Sequence, residues 1–145
     1  MINKGLLGDR VQTWKTPREL YRKLDKEFYF NFDPCPEEPK FGKKLIFDGL
    51  AIEWGKTNFC NPPYSGDNIY KWLKKGIRES EKGKTSVFLL PSRTGTDWFH
   101  DLVLGIPLEV RYLRGRIKFE NVKWNAPFDS IIVIVRPPMT KAVIR

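Results

Sequence analysis

Two consecutive prolines, Pro62 and Pro63, stand directly behind the apolar stretch 57–60 and impose the strongest local constraint on the fold. Proline fixes φ and has no backbone N–H, so neither a strand nor a helix continues through the pair. The stretch before the prolines predicts a short buried strand. Residues 67–82 carry apolar side chains at helical spacing, and Gly83 follows as a stop signal. The sequence therefore predicts a strand, a stiff turn and an amphipathic helix.

The rest of the chain continues this alternation of strands and helices. The other predicted elements are a helix opened by Thr16 as N-cap and Pro17, short strands over 29–32 and 45–47, a buried strand over 85–90, a short helix over 96–104, strands over 109–113 and 117–119, and a final strand over 128–135. This order is typical of an α/β fold with a mostly parallel sheet and a C-terminal antiparallel hairpin. We expect one compact domain over 14–136, a basic lead-in over 1–13 and a tail over 137–145.

Charge and cysteine usage narrow the class of protein. Lys and Arg number 26 against 17 acidic residues, a net charge of +9, which favours a polyanionic partner, most simply nucleic acid, over a merely soluble basic protein. No apolar run is long enough to span a membrane, and residues 1–10 lack the centre of a signal peptide. Cys35 and Cys60, with the single histidine His100, indicate buried free thiols, no metal site and a reducing cytoplasm.

The turn Asn61-Pro62-Pro63-Tyr64 also has a chemical interpretation. The amide oxygen of Asn61 and the carbonyl of Pro62 can accept the two N–H bonds of a planar amine or amide. Such a nitrogen is a poor nucleophile, and two fixed acceptors release its lone pair in the transition state. Pro63 stiffens the turn, and the Tyr64 ring could stack on a planar base. These features predict methyl transfer to a conjugated nitrogen, although the same residues also suit a plain turn.

Several short motifs occur in a characteristic order between about Trp14 and Val135. They are Trp14-x-Thr16-Pro17, Phe32-Asp33-Pro34-Cys35, Asp48-Gly49-Leu50 with Trp54, Phe59-Cys60-Asn61-Pro62-Pro63-Tyr64-Ser65, Leu89-Leu90-Pro91, Gly115-Arg116-Ile117-Lys118-Phe119 and Pro127-Phe128-x-Ser130. With these motifs the chain resembles the phage and prophage DNA N6-adenine methyltransferases, which use S-adenosylmethionine. The resemblance implies a Rossmann-like methyltransferase domain over 14–136 and methyl transfer to the N6 amine of adenine in DNA.

The resemblance also implies roles for individual residues. Asn61 and Pro62 would hold the amine, and Tyr64 would stack on an adenine flipped out of the duplex. Cofactor contacts would come from Thr16, Pro17, Asp33, Pro34 and Asp48. Which aspartate meets the ribose hydroxyls and which the methionine amine stays open, and each could instead be a turn or cap residue. Apart from the resemblance, basic charge near the predicted pocket makes Arg93, Arg114, Arg116 and Lys118 the candidates for DNA binding, although each could instead belong to a solvated basic face.

One departure from the family pattern leaves alternatives open. The turn over 33–39 has no glycine, whereas related enzymes place a glycine-rich loop there for close approach of backbone to cofactor. This favours, as an alternative, a catalytically silent nucleic-acid-binding protein. A second alternative keeps the motif and changes the acceptor to an RNA adenine or a protein glutamine. The recognised DNA sequence, the strand preference, the oligomeric state and the purpose in the bacterial host cytoplasm (evasion of restriction or regulation) stay undetermined.

Overall fold

A computed structural model describes residues 14–36 and 48–138, which form a single α/β domain. The elements in chain order are helix α1 (Arg18–Phe28), strand β1 (Thr57–Cys60), helix α2 (Asn68–Ser80), strand β2 (Thr85–Pro91), a π-helical turn (Phe99–Leu104), strand β3 (Glu109–Tyr112) and strand β4 (Ser130–Val135). The predicted strand 45–47 lies outside the described residues. Where a strand was expected over 29–32, a single parallel bridge joins Phe32 to Asn58.

The four described strands form one mixed sheet in the order β1-β2-β4-β3. β1 pairs with β2 in parallel, and β4 is antiparallel to both β2 and β3. The predicted antiparallel pairing at the end of the chain is confirmed, but a mostly parallel sheet is not, because one of these three pairs is parallel. The predicted strand 117–119 is wrong. Its Ile117 carbonyl accepts a hydrogen bond from the Ala126 N–H at 2.8 Å, within the long β3–β4 connection.

Helix α2 packs on strand β2, one of the two central strands of the sheet. Ile69 and Leu73 on its apolar face are almost completely buried. A Cβ atom at Gly76 would lie only 2.6 Å from Cζ of Phe88, so only glycine fits at this contact. The predicted helix over 67–82 is thus confirmed, and its position on the sheet depends on the missing side chain at residue 76.

Helix α1 begins at Arg18, with Pro17 as N-cap and no capping side chain. The predicted N-cap Thr16 is wrong by one residue, because proline occupies the cap and the Thr16 hydroxyl bonds elsewhere. At the other end of the helix, the Arg111 guanidinium of β3 donates two hydrogen bonds of 2.7 Å to the Glu27 carboxylate. This paired contact ties α1 to the edge of the sheet.

A buried carboxylate holds the segment before β1. Glu79 of α2 is 1% exposed and accepts hydrogen bonds from the Trp54 N–H at 2.7 Å, from Lys84 at 2.9 Å and from Lys82 at 3.0 Å. The Lys75 ammonium lies 3.5 Å away. Burial opposes the charge on Glu79, but the hydrogen bonds and the ammonium groups outweigh it and lower the pKa to about 2. Glu79 is therefore a charged structural anchor.

Candidate active site

The Asn61–Tyr64 turn leaves the carboxyl end of β1, beside the point where the parallel strand β2 ends at Pro91. Ligands of α/β sheets bind in the crevices at this edge, because loops from neighbouring strands converge there. Here three segments meet. They are the turn itself, the extended segment Trp14–Pro17 and the connection between β3 and β4.

The Asn61 carboxamide has a fixed orientation. Its Nδ2 donates to the Thr16 hydroxyl at 3.0 Å and to the Trp14 carbonyl in a short hydrogen bond. A backbone carbonyl can only accept, so the nitrogen of the amide must face it and the oxygen must point the other way. That oxygen, Oδ1, accepts from the Tyr64 hydroxyl at 2.7 Å. A carbonyl oxygen has two lone pairs, so one stays available to a substrate.

The Tyr64 side chain is buried, with 3% of its surface exposed. Its ring packs edge-on against Phe119 and Phe128, with centroids 6.4 and 6.0 Å away. Burial raises the pKa of the Tyr64 hydroxyl well above its ordinary value, so the group stays protonated. The hydroxyl also lies 2.9 Å from the Leu89 carbonyl. The predicted stacking of a base on this ring stays a prediction, and it requires a face of the buried ring to become exposed.

The two prolines of the turn differ in exposure. Pro62 is buried and Pro63 is half-buried. The Pro62 carbonyl accepts no hydrogen bond from any residue within 14–36 or 48–138. Since proline has no N–H, the turn offers acceptors and withholds donors, which suits recognition of an NH2 group.

Arg93 follows β2 and reaches the motif. Its guanidinium donates to the Tyr64 carbonyl at 3.0 Å, while the residue as a whole stays exposed. The structure therefore brings this predicted DNA-binding residue to the motif. Arg114, Arg116 and Lys118 are exposed in the β3–β4 connection, not on strands of a hairpin, and bond to no described residue. Their contact with DNA stays a prediction.

The β3–β4 connection is fastened to the segment before α1. The Lys15 N–H donates to Oδ1 of Asn121 at 3.0 Å, and the Glu120 N–H donates to the Lys15 carbonyl at 3.0 Å. The Trp14 ring packs on both Phe119 and Phe128, with centroids 5.1 Å apart in each case. Segment 14–16 therefore links the Asn61 amide to the connection.

The residues predicted to contact a cofactor fall into two groups. Thr16 lies against Asn61. The turns containing Asp33-Pro34 and Asp48-Gly49 lie together, since a Cβ atom at Gly49 would be 1.9 Å from the Pro34 carbonyl oxygen. One oxygen of Asp33 accepts from the Cys35 N–H at 2.9 Å, and one of Asp48 from the Leu50 N–H at 3.0 Å. Turn geometry thus accounts for one oxygen of each carboxylate. The exposed Asp48 keeps its other oxygen for hydroxyl or ammonium donors.

The two cysteines are not candidates for nucleophilic catalysis. Cys60 is fully buried and Cys35 partly buried, and both are free thiols, as expected. Burial and the nearby Asp33 raise the pKa of Cys35 to about 12, and burial raises that of Cys60 well above its ordinary value. No group of three potential ligands for a metal ion occurs among the described residues. No described helix has the length and apolarity needed to span a bilayer.

Sequence reasoning missed two groups that orient the motif. They are the backbone carbonyls of Trp14 and Leu89, which bond to Asn61 and Tyr64. Every residue has a carbonyl, so no residue type signals such a role. Trp14 does appear in the motif Trp14-x-Thr16-Pro17, but its carbonyl role becomes visible only in the fold.

Comparison with known families gives one match. The sequence model of the Dam family, described as DNA N-6-adenine-methyltransferase (Dam), matches residues 6–142. The match covers nearly the whole chain, so the chain belongs to the Dam family of DNA N6-adenine methyltransferases. No curated protein and no solved structure is significantly similar to it. The family implies, in general, methylation of adenine N6 in DNA.

Proposed function

We propose that the chain is a phage- or prophage-encoded enzyme that transfers a methyl group from S-adenosylmethionine to adenine N6 at specific sites in DNA, on a Rossmann-like scaffold. The observation that carries the proposal is the fixed orientation of the Asn61 carboxamide. Trp14 and Thr16 hold its amide nitrogen, so its oxygen faces away from them and can accept a hydrogen bond from a substrate. Membership of the Dam family supports the choice of adenine in DNA as acceptor.

The motif would activate the amine by holding both of its hydrogens. Oδ1 of Asn61 accepts one N–H and the Pro62 carbonyl accepts the other, so the nitrogen becomes pyramidal and its lone pair is released. The interaction strengthens as positive charge develops on the nitrogen, so it favours the transition state over the bound substrate. The proton leaves after transfer, so no strong base is required at the motif.

The Tyr64 hydroxyl can adjust to the substrate without movement of heavy atoms. Its single proton has two acceptors within reach, Asn61 Oδ1 at 2.7 Å and the Leu89 carbonyl at 2.9 Å. Rotation of the O–H bond toward Leu89 releases a second lone pair on Oδ1 as the amine arrives. Tyr64 would thus keep Oδ1 hydrogen-bonded until the substrate replaces it.

The cofactor contacts of the proposal rest on the donor chemistry of the adjoining turns. S-adenosylmethionine supplies a methyl group on a sulfonium sulfur. Asp33 and Asp48 offer carboxylate oxygens suited to its hydroxyl and ammonium groups, and carboxylates tolerate a nearby positive charge. Pro17, from the segment beside Asn61, and Pro34, from the turn beside Gly49, would shape the walls. This donor set fits the cofactor.

DNA would bind along a basic rim beside the motif, formed by Arg93, Arg114, Arg116 and Lys118. An adenine within a duplex cannot reach the motif, so it must be flipped out of the stack. Arg93 approaches the motif directly. Together with Arg114, Arg116 and Lys118 it would neutralise phosphates beside the flipped nucleotide.

Methyl transfer from labelled cofactor to DNA, with mass spectrometry of the nucleosides, tests the proposal. Wild type should yield N6-methyladenine. Asn61→Ala should lower the rate more than a hundredfold, a loss on the order of 3 kcal/mol in transition-state stabilisation. The matched control is Asn31→Ala, which removes an asparagine whose amide bonds at the opposite end of β1. Full activity in a folded Asn61→Ala enzyme would refute the mechanism.

A silent nucleic-acid-binding protein is the second candidate, supported by the glycine-free turn over 33–39. Calorimetric titration with S-adenosylmethionine separates the two. Binding heat supports the enzyme, and its absence together with retained DNA binding supports the silent protein. Parallel transfer assays on RNA and on protein test the remaining acceptors.

A further inference from the structure

Trp124 differs from the other tryptophans in its exposure. The sequence contains five, all within the described residues. Trp54, Trp72 and Trp98 are buried, and Trp14 is half-buried against Phe119. Trp124 is 73% exposed. Single exposed apolar residues are common, so exposure alone indicates no function. The location of the indole determines whether it could contact the substrate.

Both ends of the loop that carries Trp124 contact the candidate active site. Phe119 before it and Phe128 behind it both pack on the Tyr64 ring. The Ala126 N–H bonds to the Ile117 carbonyl at 2.8 Å and closes the base of the loop. Nine residue steps separate the two phenylalanines, so the tip of the loop stays within about 15 Å of them. The exposed indole is therefore confined to the neighbourhood of the motif.

The charge around Trp124 suits a polyanion. The segment 114–124 carries four basic residues and the single acidic residue Glu120, a net charge of +3. Arg114, Arg116 and Lys118 bond to no described residue. The Lys123 ammonium lies 5.3 Å from the centre of the indole ring. An aromatic face beside unpaired cations is the combination that binds bases and phosphates together.

We propose that Trp124 stacks on a DNA base next to the target adenine. The inference rests on the proposed function for the identity of the substrate. Flipping one nucleotide breaks its stacking with both neighbours, and an aromatic side chain can replace part of that contact. Trp124 thus acts as a substrate-binding residue that favours the opened duplex, whereas Arg114, Arg116 and Lys118 contact the backbone.

Binding of duplex DNA by Trp124→Ala, with Trp124→Phe and Tyr112→Ala as matched variants, tests the inference. Tyr112 is 68% exposed on the edge strand β3 and serves as the control. Trp124→Ala should weaken binding about tenfold or more, and Trp124→Phe, which keeps a ring, should stay within about threefold of wild type. The dependence of affinity on salt should not change, since no phosphate contact is removed. Equal affinity of Trp124→Ala and wild type would overturn the proposal.

Intrinsic fluorescence separates this inference from the proposed function. DNA should quench the emission of wild type and of Tyr112→Ala, and the quenching should disappear in Trp124→Phe. If wild type methylates DNA without quenching and Trp124→Ala binds normally, the stacking is wrong and the enzyme assignment stands. If quenching depends on Trp124 and no methyl transfer occurs, the stacking stands and the enzyme assignment fails.

Discussion

Thr16 and Asn61 lie 45 residues apart in the chain, and the Asn61 amide donates a hydrogen bond of 3.0 Å to the Thr16 hydroxyl. With the Trp14 carbonyl, this bond sets the direction of the amide oxygen. The family resemblance predicts that Thr16 contacts the cofactor. The geometry adds a positioning role, because the hydroxyl holds the group that would hold the substrate.

Replacement of Thr16 distinguishes the two roles. Thr16→Val keeps the shape of the side chain and removes the acceptor, so the Asn61 amide nitrogen loses one of its two hydrogen bonds. We expect kcat for methyl transfer to fall about five- to tenfold, the value of one hydrogen bond, with little change in the KM for S-adenosylmethionine. Thr16→Ser should restore kcat. A rise in that KM at unchanged kcat would instead assign Thr16 to the cofactor alone.

Tyr64→Phe should lower the stability of the fold. The variant keeps the ring packed on Phe119 and Phe128 but removes the one hydroxyl proton that the Asn61 and Leu89 carbonyl oxygens share, so an acceptor loses its donor. Leaving such a group unsatisfied costs about 1–3 kcal/mol, measurable as a shift in the urea midpoint at constant slope. Tyr112→Phe, which removes an exposed hydroxyl, is the control and should unfold at the wild-type midpoint. Unchanged stability in Tyr64→Phe would show that the contacts of the hydroxyl with Asn61 and Leu89 are energetically neutral.

Glu79 should make the fold sensitive to acid. Its pKa falls from the ordinary 4.5 to about 2 on folding. The sign follows from linkage: the ionised group contributes its full stability above pH 4.5, and the contribution is lost as the pH falls toward 2. A fall of this size corresponds to roughly 3 kcal/mol. Wild type should therefore lose about that much free energy of unfolding across this window.

Glu79→Gln isolates the contribution of the charge. At pH 7 the variant should be less stable than wild type by roughly 3 kcal/mol, and the difference should narrow as the pH approaches 2. Glu53→Gln is the matched control, because its side chain is 74% exposed and shares the Lys82 partner. Its effect should stay below about 1 kcal/mol. An equal pH dependence in wild type and Glu79→Gln would contradict the buried anchor.

Affinity for DNA should depend on the basic rim. If about five phosphates are neutralised, the logarithm of affinity should fall with the logarithm of salt concentration at a slope near −4.5. Removing Arg114, Arg116 or Lys118 should make the slope shallower by about 0.9 each. Arg22→Ala on α1, whose guanidinium pairs with Glu19, should leave it unchanged. A slope near zero in wild type would exclude phosphate contacts.

Arg93→Ala should behave differently from the other basic variants. Its guanidinium also holds the Tyr64 carbonyl, so its loss should loosen the turn as well as remove a phosphate contact. We expect both a shallower salt slope and a lower kcat at saturating DNA. Arg114→Ala should change the slope alone. A purely electrostatic effect of Arg93→Ala would show that its contact with the turn has no catalytic consequence.

Local patterns in the sequence predicted most of the regular elements. Apolar spacing identified α1, α2, β2 and β4, because each buries one face or both faces against the core. The order of strands was not predictable in the same way, since periodicity shows that a strand is buried and not which neighbour it meets. The segment 117–119 illustrates the limit. Its alternating basic and apolar residues resemble an edge strand, but a hydrogen bond within the loop engages its backbone instead.

The candidate site was also predictable only in part from the sequence. The Asn61–Tyr64 motif was predicted from residue types, and the Asp33 and Asp48 turns were predicted from the family resemblance. The surroundings of the motif could not be predicted, because the Trp14 carbonyl and the buried face of Tyr64 result from contacts between distant segments. The residue types predict the chemistry, and the tertiary contacts set the orientation of the side chains that would perform it.

The absent side chain at Gly76 offers a way to alter the Asn61–Tyr64 turn from a distance. The Asn61–Tyr64 turn connects β1 to α2, and α2 lies against Phe88 with no space for even one additional carbon. A larger residue at position 76 would move α2 away from the sheet and so displace the turn that connects it to β1. The geometry of the turn could then be altered without replacing any residue that the proposed function places against the nucleotide.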